Sequence, residues 1–549
     1  MDRSSFESST SPDRKESIDS VPRYYTRMLS VSFSSPDVAQ LDKKAQIASQ
    51  SDDAAESTAS PPHSVVGGGV DPMKKRKSLH PWPELVEPVD STPLLQRPAR
   101  TGETISPIRA VLTLSKSMFN AGCFSIPYAW RLCGLWMAMA LQFTISGLNW
   151  YGNHILVRSA QHMAVTYGRP SLDYGHFTKK VLDYSGILHF QRNSKRYMYF
   201  VNITILFYQL GMCSVALLFI SKNLEKIVWN YTNVDLPVSF YATMALIFVS
   251  FTNMFTQIKM LSVFALFSFA FFLIGAISVI VYCVMQPNQW QQLPAYTNFE
   301  STIIYVGMVM YAFEGQTMIL PIENKLSNPD DFLSACGVLP TTMLLCTTVL
   351  TALGFFGYTA FGEQTLSTIT LNLPSSWNAV LIFLIVQSLL GHCVTMYVVF
   401  DMFWNGYRRK MNSRFPWFQS HPLILDKTFR FGWVLITYIM AIVVPKLDVL
   451  IPIVGVTSGT LCGLVFPPLL ESLTMWSHWH ARGLLGRMLV KNTLLVLIGL
   501  FIVGTGLYYN CKTLLLSFEQ PHPYRLPTTG NPLPPPSERQ PHPAATTQT

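Results

Sequence analysis

Eleven runs of mostly apolar residues recur along this chain, each near the length that a helix needs to cross a bilayer. The hydrocarbon core takes about 20 such residues of helix. The runs are 107–130, 135–157, 198–221, 239–256, 260–284, 302–321, 333–358, 377–403, 431–445, 449–470 and 493–510. In lipid the backbone groups have only one another, so spans are helices or closed barrels, and runs of this length are helices. The expected fold class is an all-α polytopic membrane protein with about 11 transmembrane helices. The ninth run is short and can draw residues from the loop before it.

Charge supplies the orientation. With the N-terminus in the cytosol, the inner loops 158–196, 257–259, 322–332, 404–430 and 471–492 hold 18 Lys and Arg. The outer loops hold 4, namely Arg131, Lys222, Lys226 and Lys446. Positive charge gathers on the cytosolic side, so the net charge of +9 is a topology signal and implies no nucleic-acid partner. Only 13% of residues are charged, against about 25% in soluble domains, which makes membrane lipid the first partner.

The ends differ from the middle. Residues 1–103 are rich in Ser, Pro, Asp and Lys and read as a disordered cytosolic tail. Residues 104–511 form the transmembrane domain, and 512–549 a disordered, Pro-rich, non-cytosolic tail. No apolar stretch lies near Met1, so no cleavable signal is expected. Asp90-Ser91-Thr92-Pro93-Leu94-Leu95 has the form of an acidic dileucine sorting signal, and Tyr25-Thr26-Arg27-Met28 that of a tyrosine-based one. Both would engage sorting adaptors, leaving plasma membrane and endosome or lysosome membrane as the two addresses. Lys74-Lys75-Arg76-Lys77 can touch anionic lipid. Asn230-Tyr231-Thr232 is a glycan acceptor in an outer loop, whereas Asn202-Ile203-Thr204 lies inside a span. The nine cysteines show no CxxC pair, so no metal is expected. Cys133, Cys283 and Cys511 are the candidates for an outer disulfide.

Two spans share an interruption. The first reads SKSMFNAGCFSIPYAW over 115–130 and the sixth MVMYAFEGQTMILPIENK over 308–325. Each has a glycine followed by a proline: Gly122 then Pro127, and Gly315 then Pro321. Transporters built from inverted repeats bind their substrate near the midplane, where the corresponding helix of each repeat is broken. Five spans separate the two starts, as a five-plus-five repeat with an eleventh helix added requires. A broken helix frees N–H groups at one half's start and C=O groups at the other half's end. The N–H groups around Gly122, Cys123 and Phe124 would favour a carboxylate. The carbonyls near Phe119, Asn120 and Tyr311 would favour an ammonium. A free α-amino acid carries both. The expected substrate-binding residues are Phe119, Asn120, Ala121, Gly122, Cys123, Tyr311, Phe313, Glu314 and Gly315.

These segments resemble the amino acid/auxin permease family, and most closely its proton-coupled amino acid transporter branch. NAGCFSIPYAW and YAFEGQTMILPIENK carry the resemblance, matching family patterns that look like GxG-x-x-x-x-P and FAFEG-x-x-x-x-LP-x-EN. It covers about residues 104–511. It implies a LeuT-like inverted-repeat fold and amino acid transport. Asn120 replaces the first glycine of the family pattern and narrows the space beside a ligand, which sets this chain apart from family members that carry glycine, alanine or proline. Thr113 stands where the branch often has a histidine, and a hydroxyl does not titrate near neutral pH.

Three residues are candidates for ion coupling. Lys116 lies four residues before Asn120, on the same helix face. The resemblance places a sodium-ligating Asn there in sodium-coupled relatives, and an ammonium would repel sodium at close range. A snorkelling role at the cytosolic interface is the alternative. Glu314 is a mid-span carboxylate, which costs about 2.5–3.5 kcal/mol when charged. Protonation relieves that cost, so Glu314 can carry a proton, pair with Lys116 or the substrate ammonium, or bond the broken backbone. His392 lies within SLLGHCVTMYVVFD and has a side chain that titrates near neutral pH. Asp401 is a gate or a partner for Lys116. Glu323 and Asn324 anchor the cytosolic end of the sixth span. No cofactor is expected beyond the proton as coupling ion. The leading expectation is a proton-coupled secondary transporter of amino acids. A membrane amino acid sensor signalling through its N-tail and a vesicular amino acid/proton antiporter are its rivals. No phosphate loop or metal cluster points to an enzyme.

Overall fold

The computed structural model describes residues 104–167, 173–234, 236–255, 258–313, 315–415, 417–476 and 484–519. Among the described residues the regular elements are all helices, apart from one isolated parallel bridge between Ile105 and Leu326.

The first traverse is α1 (Pro107–Met118), a 3-10 turn (Ala121–Ser125) and α2 (Ile126–Cys133). Pro107 starts α1 at a position where its missing N–H costs nothing. Then come α3 (Leu135–Tyr167), the short α4 (Tyr174–Asp183), α5 (Leu188–Thr232), α6 (Val238–Asn253) and α7 (Ile258–Val284). A second interrupted traverse follows as α8 (Phe299–Ala312) and α9 (Gln316–Glu323). α10 (Val338–Phe361), α11 (Asn378–Arg414) and α12 (Pro422–Val443) come next. α13 (Leu447–Val454) runs through two π-helical stretches, Gly455–Gly459 and Leu461–Val465, into α14 (Phe466–Thr474). α15 (Leu484–Glu519) closes the chain. Among the described residues seven helical segments are long and apolar enough to cross a membrane, and Val238–Asn253 is a shorter apolar helix.

Several boundaries differ from the sequence expectation. The short ninth run does extend backwards, to Pro422. The last helix runs on to Glu519, past the point at which a disordered tail was expected to begin. Asp90, Leu94 and Leu95 lie outside the described residues. No disulfide forms: Cys133, Cys283 and Cys511 are all free, the first two buried and Cys511 exposed. Cys133 instead points its thiol at Thr302 Oγ1, 3.8 Å away. Asn230 sits in the last turn of α5, where its Nδ2 donates to Asn378 Oδ1 at 2.9 Å. A glycan on that nitrogen would have to displace this bond.

Packing sorts the spans into centre and rim. The apolar window of the α8–α9 segment is 88% buried and that of α5 is 78% buried, whereas that of α15 is 11% buried. The interrupted traverse is therefore wrapped by protein, and α15 lies at the periphery. In lipid no hydrophobic force separates these roles, so close packing of small residues decides which helices touch. Gly152 faces the carbonyl of Gly463, and Gly455 faces that of Gly307, at distances that admit no side chain.

Two exposed thiols report the topology. Cys336 precedes α10 and Cys511 lies near the end of α15. The charge pattern predicts that a membrane-impermeant maleimide labels them from opposite faces of a sealed vesicle. Labelling of both from one face would shift the span count by one.

Candidate functional site

The first break is made by two extended residues. Phe119 (φ −85°, ψ 102°) and Asn120 (φ −132°, ψ 179°) leave the helical region after Met118. Asn120 then caps the turn that follows: its Oδ1 accepts from Gly122 N–H at 2.8 Å. Its Nδ2 donates to Met118 C=O at 3.3 Å. One amide thus satisfies the end of one half-helix and the start of the next. The second break lies between Ala312 and Gln316. Tyr208, on α5, donates its hydroxyl to Tyr311 C=O at 2.9 Å. Gly315 N–H donates to Gln316 Oε1 at 3.2 Å, and Gln316 Nε2 to Asn149 Oδ1 at 3.3 Å.

The breaks meet at Gly122. A Cβ there would fall 2.2 Å from Cε1 of Tyr311. Beside this contact is a cavity of about 230 Å3 lined from α1, α5, α7, α8, α9 and α11. Of the sequence-expected residues it brings together Lys116, Phe119, Asn120, Ala121, Tyr311 and His392. Gly122, Cys123, Phe313 and Gly315 do not line it. Gly122 is filled by Tyr311, Cys123 and Phe313 are fully buried, and Gly315 packs on Met118. Glu314 lies outside the described residues. Neither proline makes a break. Pro127 sits in the first turn of α2, where an N–H is not needed, and Pro321 lies inside α9.

The cavity occupies one side of the breaks. Its walls include Thr113 and Lys116 of α1, Asn120 of the break, Gln209 of α5, Ala265 and Phe269 of α7 and Thr395 of α11. The other side is closed by rings. Phe119 stacks on Phe272 at 4.7 Å and on Phe269 at 6.2 Å. Phe124 meets Phe272 at 5.3 Å and Phe219 at 5.9 Å. Each such pair contributes roughly 0.5–1.5 kcal/mol. Above the rings, the connection between α10 and α11 is held by two cations. Arg131 Nη1 donates to Glu363 C=O at 3.0 Å and Thr365 C=O at 2.7 Å. Lys226 donates to Thr370 C=O at 3.2 Å, Leu371 C=O at 2.7 Å and Leu373 C=O. Thr368 Oγ1 donates to Phe124 C=O at 3.4 Å, which fixes this lid to the first break.

His392 is 1% exposed, and both ring nitrogens are engaged. Asn253 Nδ2 donates to Nδ1 at 3.1 Å. Thr437 Oγ1 is 3.5 Å from Nε2 and sends its own hydrogen to Val434 C=O. The network assigns the neutral ring with its proton on Nε2. A second proton would turn Nδ1 into a donor facing a donor. His392→Gln is therefore expected to retain most of its proton-driven uptake, read as initial rates under an imposed pH gradient. Loss of proton dependence with downhill uptake intact would make His392 the carrier after all.

Asp401 is half-buried on α11 and forms no ion pair with Lys116. Glu323 is buried and accepts from Gln161 Nε2 at 3.0 Å, which also donates to Pro329 C=O at 3.2 Å. This ties the end of α9 to α3, as an anchor would. Sequence reasoning missed Gln209, Ser268, Thr317 and Ser388, all of which line the cavity. Gln209 Nε2 donates to Thr317 Oγ1 at 3.4 Å. Their signal was available, since polar side chains inside apolar spans face protein or a cavity.

A family profile described as "Transmembrane amino acid transporter protein" matches residues 103–510. A Caenorhabditis elegans protein named "Probable amino acid transporter skat-1" is 55% identical over 441 residues, covering 79% of this chain and 95% of its own. A Drosophila melanogaster protein named "Proton-coupled amino acid transporter-like protein pathetic" is 24% identical over 412 residues, covering 71% of this chain and 82% of its own.

Proposed function

Because this chain belongs to the transmembrane amino acid transporter family, we propose that it moves amino acids across a membrane by alternating access, coupled to protons and not to sodium. The observation that carries this reading is the convergence of two interrupted helices on one cavity, closed on one side by stacked rings and a clamped lid. Breaks in the first traverse and in α8–α9 suit an inverted repeat of five plus five spans with α15 as the added eleventh, a LeuT-like arrangement. With the N-terminus in the cytosol, Arg131 and Lys226 of the lid are outer residues, which supports a cavity closed toward the outside and an inward-facing conformation. The Drosophila relative's name includes proton coupling, and Lys116 lines the cavity where a bound sodium would meet an ammonium. Glu314 is the proposed proton carrier.

The test is flux of a panel of labelled amino acids into proteoliposomes. Uphill uptake under a pH gradient alone, lost in Glu314→Gln, is the expected result. Uphill uptake under a sodium gradient alone would overturn the coupling. One observation favours the sensor as a second reading. Ile105 N–H donates to Lys325 C=O at 2.9 Å and Ser327 N–H to Ile105 C=O at 3.1 Å. The junction of the N-tail is thereby stitched to the end of α9, so occupancy of the site can reach the tail. A sensor would bind saturably without flux under any gradient.

A further inference from the structure

The first break withholds two of the N–H groups that a broken helix would offer to a carboxylate. Gly122 N–H is already bonded to Asn120 Oδ1 at 2.8 Å. Cys123 N–H goes to Asn120 C=O at 3.2 Å. A substrate carboxylate arriving in the cavity would find these two donors taken. It also needs an opposite charge, because burying an unpaired carboxylate is heavily unfavourable.

Lys116 meets that need. It lines the cavity one turn before Asn120 and, among the described residues, has no hydrogen bond or ion pair. The hydroxyls beside it are committed: Thr113 Oγ1 donates to Arg109 C=O and Ser117 Oγ to Leu114 C=O, both at 2.7 Å. His392 is held as a neutral ring by Asn253 and Thr437. Among the described lining residues Lys116 is the only lysine or arginine, and none is a carboxylate. An ammonium paired with a carboxylate forms a charge-assisted hydrogen bond, the stronger kind.

Resting on the transport reading above, we infer that the Lys116 ammonium is the receptor for the substrate's carboxylate. The preferred substrate is then an amino acid with an intact carboxylate and an uncharged side chain. Phe119, Phe269, Met212 and Met318 offer that side chain an apolar wall. A cationic side chain would be repelled by Lys116, and an amide or an amine lacking the carboxylate would leave it unpaired.

The experiment measures ligand-induced thermal stabilisation of the full-length protein in detergent. The proteinogenic amino acids are screened first, followed by the carboxamides of those that stabilise. Wild type is expected to be stabilised by neutral amino acids, and by their carboxamides at least roughly tenfold more weakly. Lys116→Met should lose that preference, binding acid and amide alike, and Lys116→Arg should keep part of it. Three results would overturn the inference. One is undiminished preference for the acid in a folded Lys116→Met. Another is recovery of that preference when Glu314→Gln is added to Lys116→Met, since Lys116 would then serve a carboxylate of the protein. The third is absence of stabilisation by any amino acid. Flux is read separately, so a wild type that binds acid over amide without transporting it would sink the transport reading and leave the receptor standing.

Discussion

Gly122→Val is expected to cut amino acid uptake by roughly ten- to a hundredfold. The added Cβ would lie 2.2 Å from the Tyr311 ring, and the ring has little room to retreat because Tyr311 is buried and packs against the Tyr208 ring at 6.1 Å. Overpacking of this kind costs about 1–3 kcal/mol, and each 1.4 kcal/mol is about tenfold in affinity. Tyr311 lines the cavity, so the cost falls on the site. The check is a double-mutant cycle on initial uptake rates. Tyr311→Ala removes the obstructing ring, and adding it to Gly122→Val should recover part of the loss. If the two losses simply add, Gly122 and Tyr311 do not act as one unit.

Gly455→Leu is expected to produce the largest loss of stability. Its Cβ would lie 1.9 Å from Gly307 C=O and 2.8 Å from Tyr311 N, both backbone atoms that have nowhere to go. The π-helical stretch at Gly455–Gly459 and α8 would have to part, and α8 carries one edge of the second break. A cost of about 3 kcal/mol or more is expected, read as a lower thermal midpoint in detergent. Gly432→Ala is the control. Nothing lies within 4 Å of the Cβ it would add on α12, and alanine suits a helix better than glycine. A midpoint unchanged in Gly455→Leu would mean that the α8 contact is looser than its geometry.

Both of these positions show where sequence reasoning reaches and where it stops. The interruptions near Gly122 and Gly315 were legible because glycine and proline are rare punctuation in an apolar run. Their cause was not. The prolines looked like the breakers, yet Pro127 merely starts α2 and Pro321 rides inside α9. The break at Asn120 comes from extended backbone locked by the residue's own amide. That bond also consumes one of the N–H groups expected to meet a carboxylate, and no spacing rule could show a side chain folding back on its own turn. Lys116 was singled out by its position on the face shared with Asn120, and it does line the cavity. The contributions of Gln209, Thr317 and Ser388 come from three other helices. Inside lipid-facing sequence the inward face carries only a faint polarity signal, so their convergence appears only when the helices are packed. His392 looked titratable on the page, whereas its two partners come from α6 and α12, far away in the chain.

The central claim is that the cavity beside the two breaks holds the amino acid and opens to the cytosol. Thr395 lines it one turn beyond His392. With the two exposed cysteines, Cys336 and Cys511, replaced by serine, the other seven are buried, and Thr395→Cys supplies a single reporter. The measurement is the rate at which an impermeant maleimide labels that thiol in vesicles of known orientation, with and without a transported amino acid. The account predicts labelling from the cytosolic face that slows as the amino acid saturates its transport. Labelling at the same rate with and without an amino acid that is being transported would contradict it.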